Sequence, residues 1–368
     1  MEKEKNKIFQ FVSNSFSFII FSTIKIFFPQ QKTNENNILF INTGKIGDLI
    51  VTSILLENDD IFNNDFNVYL LIKQQYYPLF EKYSGKINII SYKYDSYKWS
   101  LFYRIKLLKK LNKLKIEKCF NITSARGMLN DEISLLCGAN NIYTTCSNHI
   151  YLGKFLGTIM DSKYTEIIYS NIYNEYDKHI EVLKSFSGKK EFIFYNHKTF
   201  HFSNLSQDKD YIAISPLSTD KDRSWGIGNY KTLCNEISKT QNVILLGSKS
   251  EIDKLNFIKA GNNNISIDIS PLDKVTEIIN SCKLYIGNHS GLTHIALKLN
   301  KPLIAILDGG FFNQYLPYKT ENKNNIFIYN EMECFGCLMR CLYKEKYCLT
   351  NITIEEVYKE FEKLVNRI

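Results

Sequence analysis

At 368 residues the chain exceeds what one ordinary domain needs and suffices for two, each with a core of its own. Hydrophobic residues at 44% and charged residues at 23% make a globular composition and exclude a disordered or fibrous chain. The formal net charge of +8 suits an anionic partner, but no Lys/Arg run and no helix-turn-helix or RNA-binding signature accompanies it, which sets nucleic acid aside.

The first 36 residues start basic and turn apolar, as a secretory signal does, yet polar residues and Lys25 break the run, and no small-residue cleavage site follows. The run is also too broken for a spanning helix. At helical spacing Ile8, Phe9, Val12, Phe16, Ile19, Ile20 and Phe27 share a face. That face suits a helix lying in a membrane interface or one docked on the protein's own surface.

From residue 38 short apolar runs alternate with amphipathic stretches: 38–42, 68–72, 87–92 and 118–122. This is βα repetition, the pattern of a parallel sheet buried on both faces. It defines an α/β domain over 37–205, with a helix near 175–186 before an irregular stretch. The pattern restarts at 211–215, 243–247, 265–270, 284–288 and 302–307, giving a second α/β domain over 206–350. A closing helix within 351–368 is expected to pack back across the domains.

In such sheets ligands lie beyond the carboxyl ends of the strands, so the residues following each strand carry the information. After the first strand, Gly44, Lys45, Gly47 and Asp48 form a turn into a helix whose free N–H groups suit an anion. Asp48 there reads equally as a reacting carboxylate or as a cap stabilised by the helix dipole. After 211–215 come Ser218, Thr219, Lys221 and Arg223, hydroxyls and cations that suit a diphosphate or an ordinary polar loop closed by a buried Trp225. Glu251, beyond 243–247, suits ribose hydroxyls or a helix cap. After 284–288, His289, Ser290, Gly291 and Leu292 open a helix expected to display Thr293 and His294 in its first turn.

Of nine cysteines, five are scattered singly and read as reduced core thiols. Cys334, Cys337, Cys341 and Cys348 have the spacing C-x2-C-x3-C-x6-C. Four thiols so close could share a structural zinc or iron, away from the chemistry, or remain free or disulfide-paired.

In order, G-x-x-G-D at 44–48, the polar loop ending in Arg223-x-Trp225, L-G-x-x-x-E ending at Glu251, and G-N-x-S-G-x-x-H-x-A from Gly287 resemble glycosyltransferase family 9. These are the ADP-heptose:lipopolysaccharide heptosyltransferases, and the resemblance spans about residues 38–365. It implies a GT-B fold, two facing Rossmann-like domains with a cleft between them, the acceptor in the first and the nucleotide sugar in the second. It implies an inverting transfer that needs no catalytic cofactor, with Asp48 as general base. Ser218, Thr219 and Arg223 match diphosphate contacts, Glu251 the ribose contact, and Ser290 to His294 the loop on diphosphate and sugar. Two positions depart from the family: Arg223 stands where Lys is usual, and His289 where Asp is usual. Cysteine clusters at the place of Cys334 to Cys348 also occur in many members.

The resemblance implies ADP-heptose or another sugar nucleotide as donor and a lipopolysaccharide core as acceptor. The enzyme would be cytoplasmic, with peripheral contact at the inner membrane through its N-terminal segment. A protein acceptor, as in autotransporter glycosylation, keeps the chemistry and changes the partner. A non-catalytic sugar-nucleotide-binding subunit is the alternative of a different class.

Overall fold

The computed structural model describes residues 2–56, 66–81, 84–147, 149–168, 174–187, 209–218, 220, 223–317 and 322–368, with side chains left out for residues 2–11 and 54. The chain divides into two compact units, Met1–Phe192 and Ile193–Ile368. The expected boundary at 205/206 lies outside the described residues.

The first unit holds six parallel strands: β1 (Asn37–Ile41), β2 (Asn67–Lys73), β3 (Asn88–Tyr92), β4 (Lys118–Asn121), β5 (Asn141–Thr145) and β6 (Glu166–Ile168). Their order is β3-β2-β1-β4-β5-β6. The second unit repeats the design with β7 (Lys209–Ser215), β8 (Asn242–Leu246), β9 (Ile265–Asp268), β10 (Cys282–Asn288), β11 (Leu303–Ile306) and β12 (Asn325–Ile328), ordered β12-β11-β10-β7-β8-β9. Counted from each unit's first strand, both orders are 3-2-1-4-5-6, the doubly wound arrangement whose direction reverses between the first and fourth strands. The reversal falls between β1 and β4 in one unit and between β7 and β10 in the other.

Central strands are buried along their whole length. Ile38 to Ile41 are fully buried, as are Leu284, Tyr285 and Ile286, so helices must cover both faces of each sheet. Strands β5, β6 and β12 lie outside the sequence-based expectation. NIYTT mixes Asn and Thr among its apolar residues, and EII and NIFI are short runs at sheet edges.

Helix α1 (Glu2–Ile24) docks on its own unit, and of the expected face Ile20 takes part. Phe21, Ile24 and Phe28 are buried in the core, with Phe18 and Ile20 packed against it. Val12, Phe16, Ile19, Ile26 and Phe27 stay exposed. The side chains of Ile8 and Phe9 lie outside the described residues. Among the described residues, no helix is long and apolar enough to cross a membrane.

Helix α2 (Ile46–Leu56) follows β1, α3 (Met128–Leu135) follows β4, α4 (Glu175–Ser187) ends the described part of the first unit, and α5 (Gly291–Lys298) follows β10. The last helix, α6 (Ile354–Val365), starts from a Thr353 cap that accepts the Glu356 N–H. Its buried face of Val357, Phe361 and Leu364 belongs to the core of the second unit.

Candidate functional sites

In the first unit, the turn after β1 is shaped by short-range polar contacts. Asn42 Oδ1 accepts the Gly44 N–H at 2.8 Å, while its Nδ2 donates to Thr52 Oγ1 at 2.6 Å. This closes the turn onto the second turn of α2. A side chain on Gly44 would collide with the Asp48 carboxylate, so the absence of a Cβ is what lets the two approach.

The Asp48 carboxylate accepts the Lys45 backbone N–H on Oδ2 at 2.7 Å and the Ser124 hydroxyl on Oδ1 at 2.6 Å. The first bond is the helix cap that the sequence allowed. The second comes from the strand across the switch point, because Ser124 follows β4. Asp48 is itself half-buried, so the carboxylate is oriented by two donors and still reachable. Gly47 is half-buried and Lys45 is exposed beside it.

Behind the carboxylate lies a largely buried polar layer. Thr43 N–H donates to Thr123 Oγ1 at 3.1 Å, and Asn130 Nδ2 donates to Thr43 Oγ1. Thr52 Oγ1 meets His179 Nε2 at 3.1 Å, and His179 Nδ1 lies 2.7 Å from the Glu175 carbonyl. Burial lowers the His179 pKa to about 4, so its ring is neutral near pH 7. Lys73, at the end of β2, has its pKa lowered by burial against the opposing pull of Asp48, and its ammonium stands 4.7 Å from the Tyr94 ring centroid.

In the second unit, Asn288 at the end of β10 ties down the loop that follows β7. Its Oδ1 accepts the Trp225 N–H at 3.0 Å and its Nδ2 donates to the Pro216 carbonyl at 2.8 Å. Trp225 is buried, as expected, and its indole N–H reaches the Ile352 carbonyl at 2.8 Å. Ser218 and Arg223 are half-buried on this loop, and Thr219 and Lys221 lie outside the described residues.

Arg223 is held on two sides. Its Nε donates to Asp308 Oδ2 at 3.3 Å, and its guanidinium carbon lies 4.6 Å from the Phe311 ring centroid. Asp308 also meets His289 Nδ1 at 3.0 Å on the same oxygen, while its Oδ1 accepts the Gly310 and Phe311 N–H groups at 2.9 and 3.2 Å. Burial pushes the Asp308 carboxyl up, but the His289 hydrogen bond and the charges around it more than offset this, leaving it well below the usual range. His289 has its pKa lowered by burial and by Arg223, which outweigh Asp308, so the imidazole is neutral.

The first turn of α5 departs from the expected display. Ser290, Gly291 and Leu292 are half-buried, whereas Thr293 and His294 are buried. Thr293 Oγ1 turns back to the Asn288 carbonyl at 2.5 Å and lies 3.3 Å from the Tyr285 hydroxyl. Burial, with His289 and Arg223, holds His294 well below the usual imidazole range. The backbone after β10 is thus locked from beneath, leaving Ser290 to Leu292 as the accessible part of the helix start.

Glu251 serves as a cap here. Its Oε2 accepts the Ser248 N–H at 2.8 Å and the Ser248 hydroxyl at 2.6 Å.

The cysteine cluster follows β12. Among the described residues no group of three or more His, Cys, Asp or Glu is placed to hold a metal ion, and Cys334, Cys337, Cys341 and Cys348 are free, half-buried thiols. Other contacts organise the segment. Phe335 packs on Phe312 with ring centroids 4.7 Å apart and fills the space a side chain on Gly309 would need, and Met339 does the same at Gly310. Leu338 and Met339 take left-handed backbone angles of 50° and 62°. Burial raises the pKa values of Cys337 and Cys348, and Cys334 and Cys341 add to this, so the four thiols share one neighbourhood.

Ser124 and Asp308 were missed in the sequence. Both directly follow strands, β4 and β11, so the rule that found Asp48 and His289 would have found them had it been carried to every strand end.

Residues 174–343 match the family model described as Glycosyltransferase family 9 (heptosyltransferase). Over 169 residues the chain is 24% identical to lipooligosaccharide heptosyltransferase 2 of Campylobacter jejuni subsp. jejuni serotype O:6 (strain 81116 / NCTC 11828), covering 44% of this chain and 53% of that protein. Lipopolysaccharide heptosyltransferase 2 of Escherichia coli (strain K12) is 29% identical over 113 residues, 28% of this chain and 32% of that one. The chain therefore spans about half the length, or less, of these curated relatives. Among solved structures, E. coli heptosyltransferase WaaC with ADP superposes with a TM-score of 0.70 at 12% identity, over 89% of this chain and 99% of that one. E. coli ADP-heptose lps heptosyltransferase II gives 0.67 at 16% identity, over 90% and 99%. At these identities the likeness speaks for the fold, the GT-B architecture of two six-stranded parallel sheets. Over residues 174–343 the chain is thus similar in sequence to glycosyltransferase family 9, and in fold to solved heptosyltransferase structures.

Proposed function

We propose that the chain transfers a heptose or related sugar from ADP-heptose, or another sugar nucleotide, to a lipopolysaccharide core acceptor, inverting the anomeric centre without a catalytic metal. The observation that carries this reading is the Asp48 carboxylate, oriented by Lys45 N–H and Ser124 Oγ at the switch point of its sheet and still reachable. Such a group suits general-base work, since it must be within hydrogen-bond reach of the proton it takes. The acceptor oxygen attacks the anomeric carbon and gives its proton to Asp48 as the new C–O bond forms. The bond from the anomeric carbon to the diphosphate oxygen breaks, its electron pair leaving with the nucleotide.

Donor binding is assigned to the second unit. In this reading Arg223, Ser218 and the half-buried start of α5 at Ser290, Gly291 and Leu292 supply a guanidinium, a hydroxyl and helix N–H groups for the diphosphate. Thr219, outside the described residues, is assigned to the diphosphate and Glu251 to the ribose by their positions in the sequence. Such fixed donors stabilise the charge that develops on the leaving group. The similarity to lipopolysaccharide heptosyltransferase 2, and to WaaC bound to ADP and to ADP-2-deoxy-2-fluoro heptose, supports ADP-heptose and lipopolysaccharide as substrates. The exposed Val12, Phe16, Ile19, Ile26 and Phe27 support peripheral contact with the inner membrane, where a lipid acceptor resides.

The test is product formation followed by mass spectrometry, with wild type and Asp48→Ala supplied with ADP-heptose and a lipopolysaccharide core acceptor. Transfer by wild type and its loss in the variant is the expected result. Undiminished transfer by Asp48→Ala would remove the assigned base. Nucleotide binding by wild type with no turnover on any acceptor would favour a sugar-nucleotide-binding subunit.

A further inference from the structure

We propose that Asp308 is a positioning residue of the donor site, fixing both the Arg223 guanidinium and the ring-proton placement of His289. The proposal rests on the reading of Arg223 and the β10–α5 loop as donor-binding.

Asp308 follows β11 and is 1% exposed. All its oxygens are in use: Oδ1 takes the Gly310 and Phe311 N–H groups, and Oδ2 takes Arg223 Nε and His289 Nδ1. It therefore has no capacity left for a ligand and acts through its two side-chain partners. Two backbone N–H groups hold the carboxylate itself in place, so its direction is set by the chain and not by the cation it binds.

Consider first Arg223. A guanidinium has donors on several edges in one rigid plane. Asp308 occupies Nε, and Phe311 lies under the plane. With one edge pinned and one face covered, the two terminal nitrogens keep one direction, and the Arg223 side chain retains 17% exposure. A group held this way binds a diphosphate without first losing rotamer freedom.

Turning to His289, a neutral imidazole carries one ring N–H and one lone pair, and whichever nitrogen meets a carboxylate carries the proton. Asp308 is ionised, so Nδ1 carries it and Nε2 is the lone pair. His289 is 1% exposed, and Nε2 has no hydrogen-bond partner among the described residues. A buried acceptor without a donor is costly, and a hydroxyl of the bound sugar would satisfy it. Sequence position alone makes His289 ambiguous between donor and acceptor; the carboxylate behind it makes it an acceptor.

The test has two parts, on the full chain. Nitrogen-15 NMR of wild type, with His289→Gln to assign the ring, should find His289 protonated on Nδ1; protonation on Nε2 would overturn the assignment. Calorimetry of ADP binding is then run on wild type, Asp308→Asn, Arg223→Met and the double variant. Asp308→Asn should weaken ADP binding roughly tenfold or more, the size of one charge-assisted hydrogen bond. In the Arg223→Met background it should change little, because the residue through which it acts is gone. Unchanged or tighter ADP binding by a folded Asp308→Asn, or the same loss in both backgrounds, would overturn the positioning role. Failure of wild type to bind ADP would instead sink the donor-site reading beneath it. Should Asp308→Asn not fold, the wild-type ring-proton measurement still decides for or against the dyad.

Discussion

In the first unit a carboxylate stands half-buried at the head of α2, oriented by a backbone N–H and a serine hydroxyl. In the second, at the equivalent place in a sheet of the same order, Arg223, Asp308 and His289 form a tightly packed set in which the carboxylate and the imidazole are each 1% exposed. On the proposed function, the same topology serves two kinds of task. A group that exchanges a proton needs to be within reach of the hydroxyl it serves. Groups that bind a multiply charged ligand gain from being fixed in a dry setting before the ligand arrives. The contrast separates a site for chemistry from a site for binding, and it can be broken by variants that leave one intact.

The largest effect should come from Asp48→Asn, which keeps the shape and removes the base. Turnover should drop by about 10²–10⁴-fold, the usual range for a general base, with ADP affinity unchanged. A fall in ADP affinity of similar size would merge the two sites and break the contrast. Arg223→Met should do the reverse, raising the donor KM by about a hundredfold through loss of a fixed cationic donor, and leaving the acceptor KM alone. Steady-state kinetics with each substrate varied separates the two.

A third prediction concerns the layer beneath Asp48. His179 has a pKa of about 4 in the fold against 6.5 when free of it. The unfolded chain therefore binds more protons between these values, and stability falls as pH drops from about 6.5 to about 4. The difference of 2.5 units sets a loss of about 3 kcal/mol at most. Thermal unfolding at pH 7.5 and 4.5 should show a steeper decline for wild type than for His179→Gln; equal slopes would mean that the ring is not held neutral.

The smallest effect is assigned to Ser124→Ala. Loss of one hydrogen bond to Asp48 should lower kcat about tenfold with little change in either KM. A change confined to KM would place Ser124 in acceptor binding and sharpen the division of labour within the first unit.

Much of this was legible in the sequence, and the exceptions have several causes. Strands of five or more apolar residues declared themselves, because a sheet covered on both faces requires them. Edge strands β6 and β12 did not, since an edge position relaxes that demand. Asp48, Arg223 and His289 stood out by following strands, yet Asp308 follows one too and escaped notice, because a lone Asp beside two glycines reads as a turn. Thr293 and His294 illustrate a different limit. Their place in the first turn of α5 was readable, but which way they face depends on packing against Asn288 and Tyr285, and that is tertiary. Cysteine spacing suggested a metal centre because it reports distance along the chain. The left-handed residues Leu338 and Met339 and the seat of Phe335 on Gly309 shape the loop that carries the thiols, and spacing along the chain does not report them.

One measurement bears on the separation of the two sites more directly than any other: calorimetric titration of ADP and ADP-heptose into wild type, Asp48→Asn and Arg223→Met. Equal binding by wild type and Asp48→Asn, with strong weakening in Arg223→Met, is the predicted result. Weakening in Asp48→Asn alone, or tight binding retained by Arg223→Met, would contradict it.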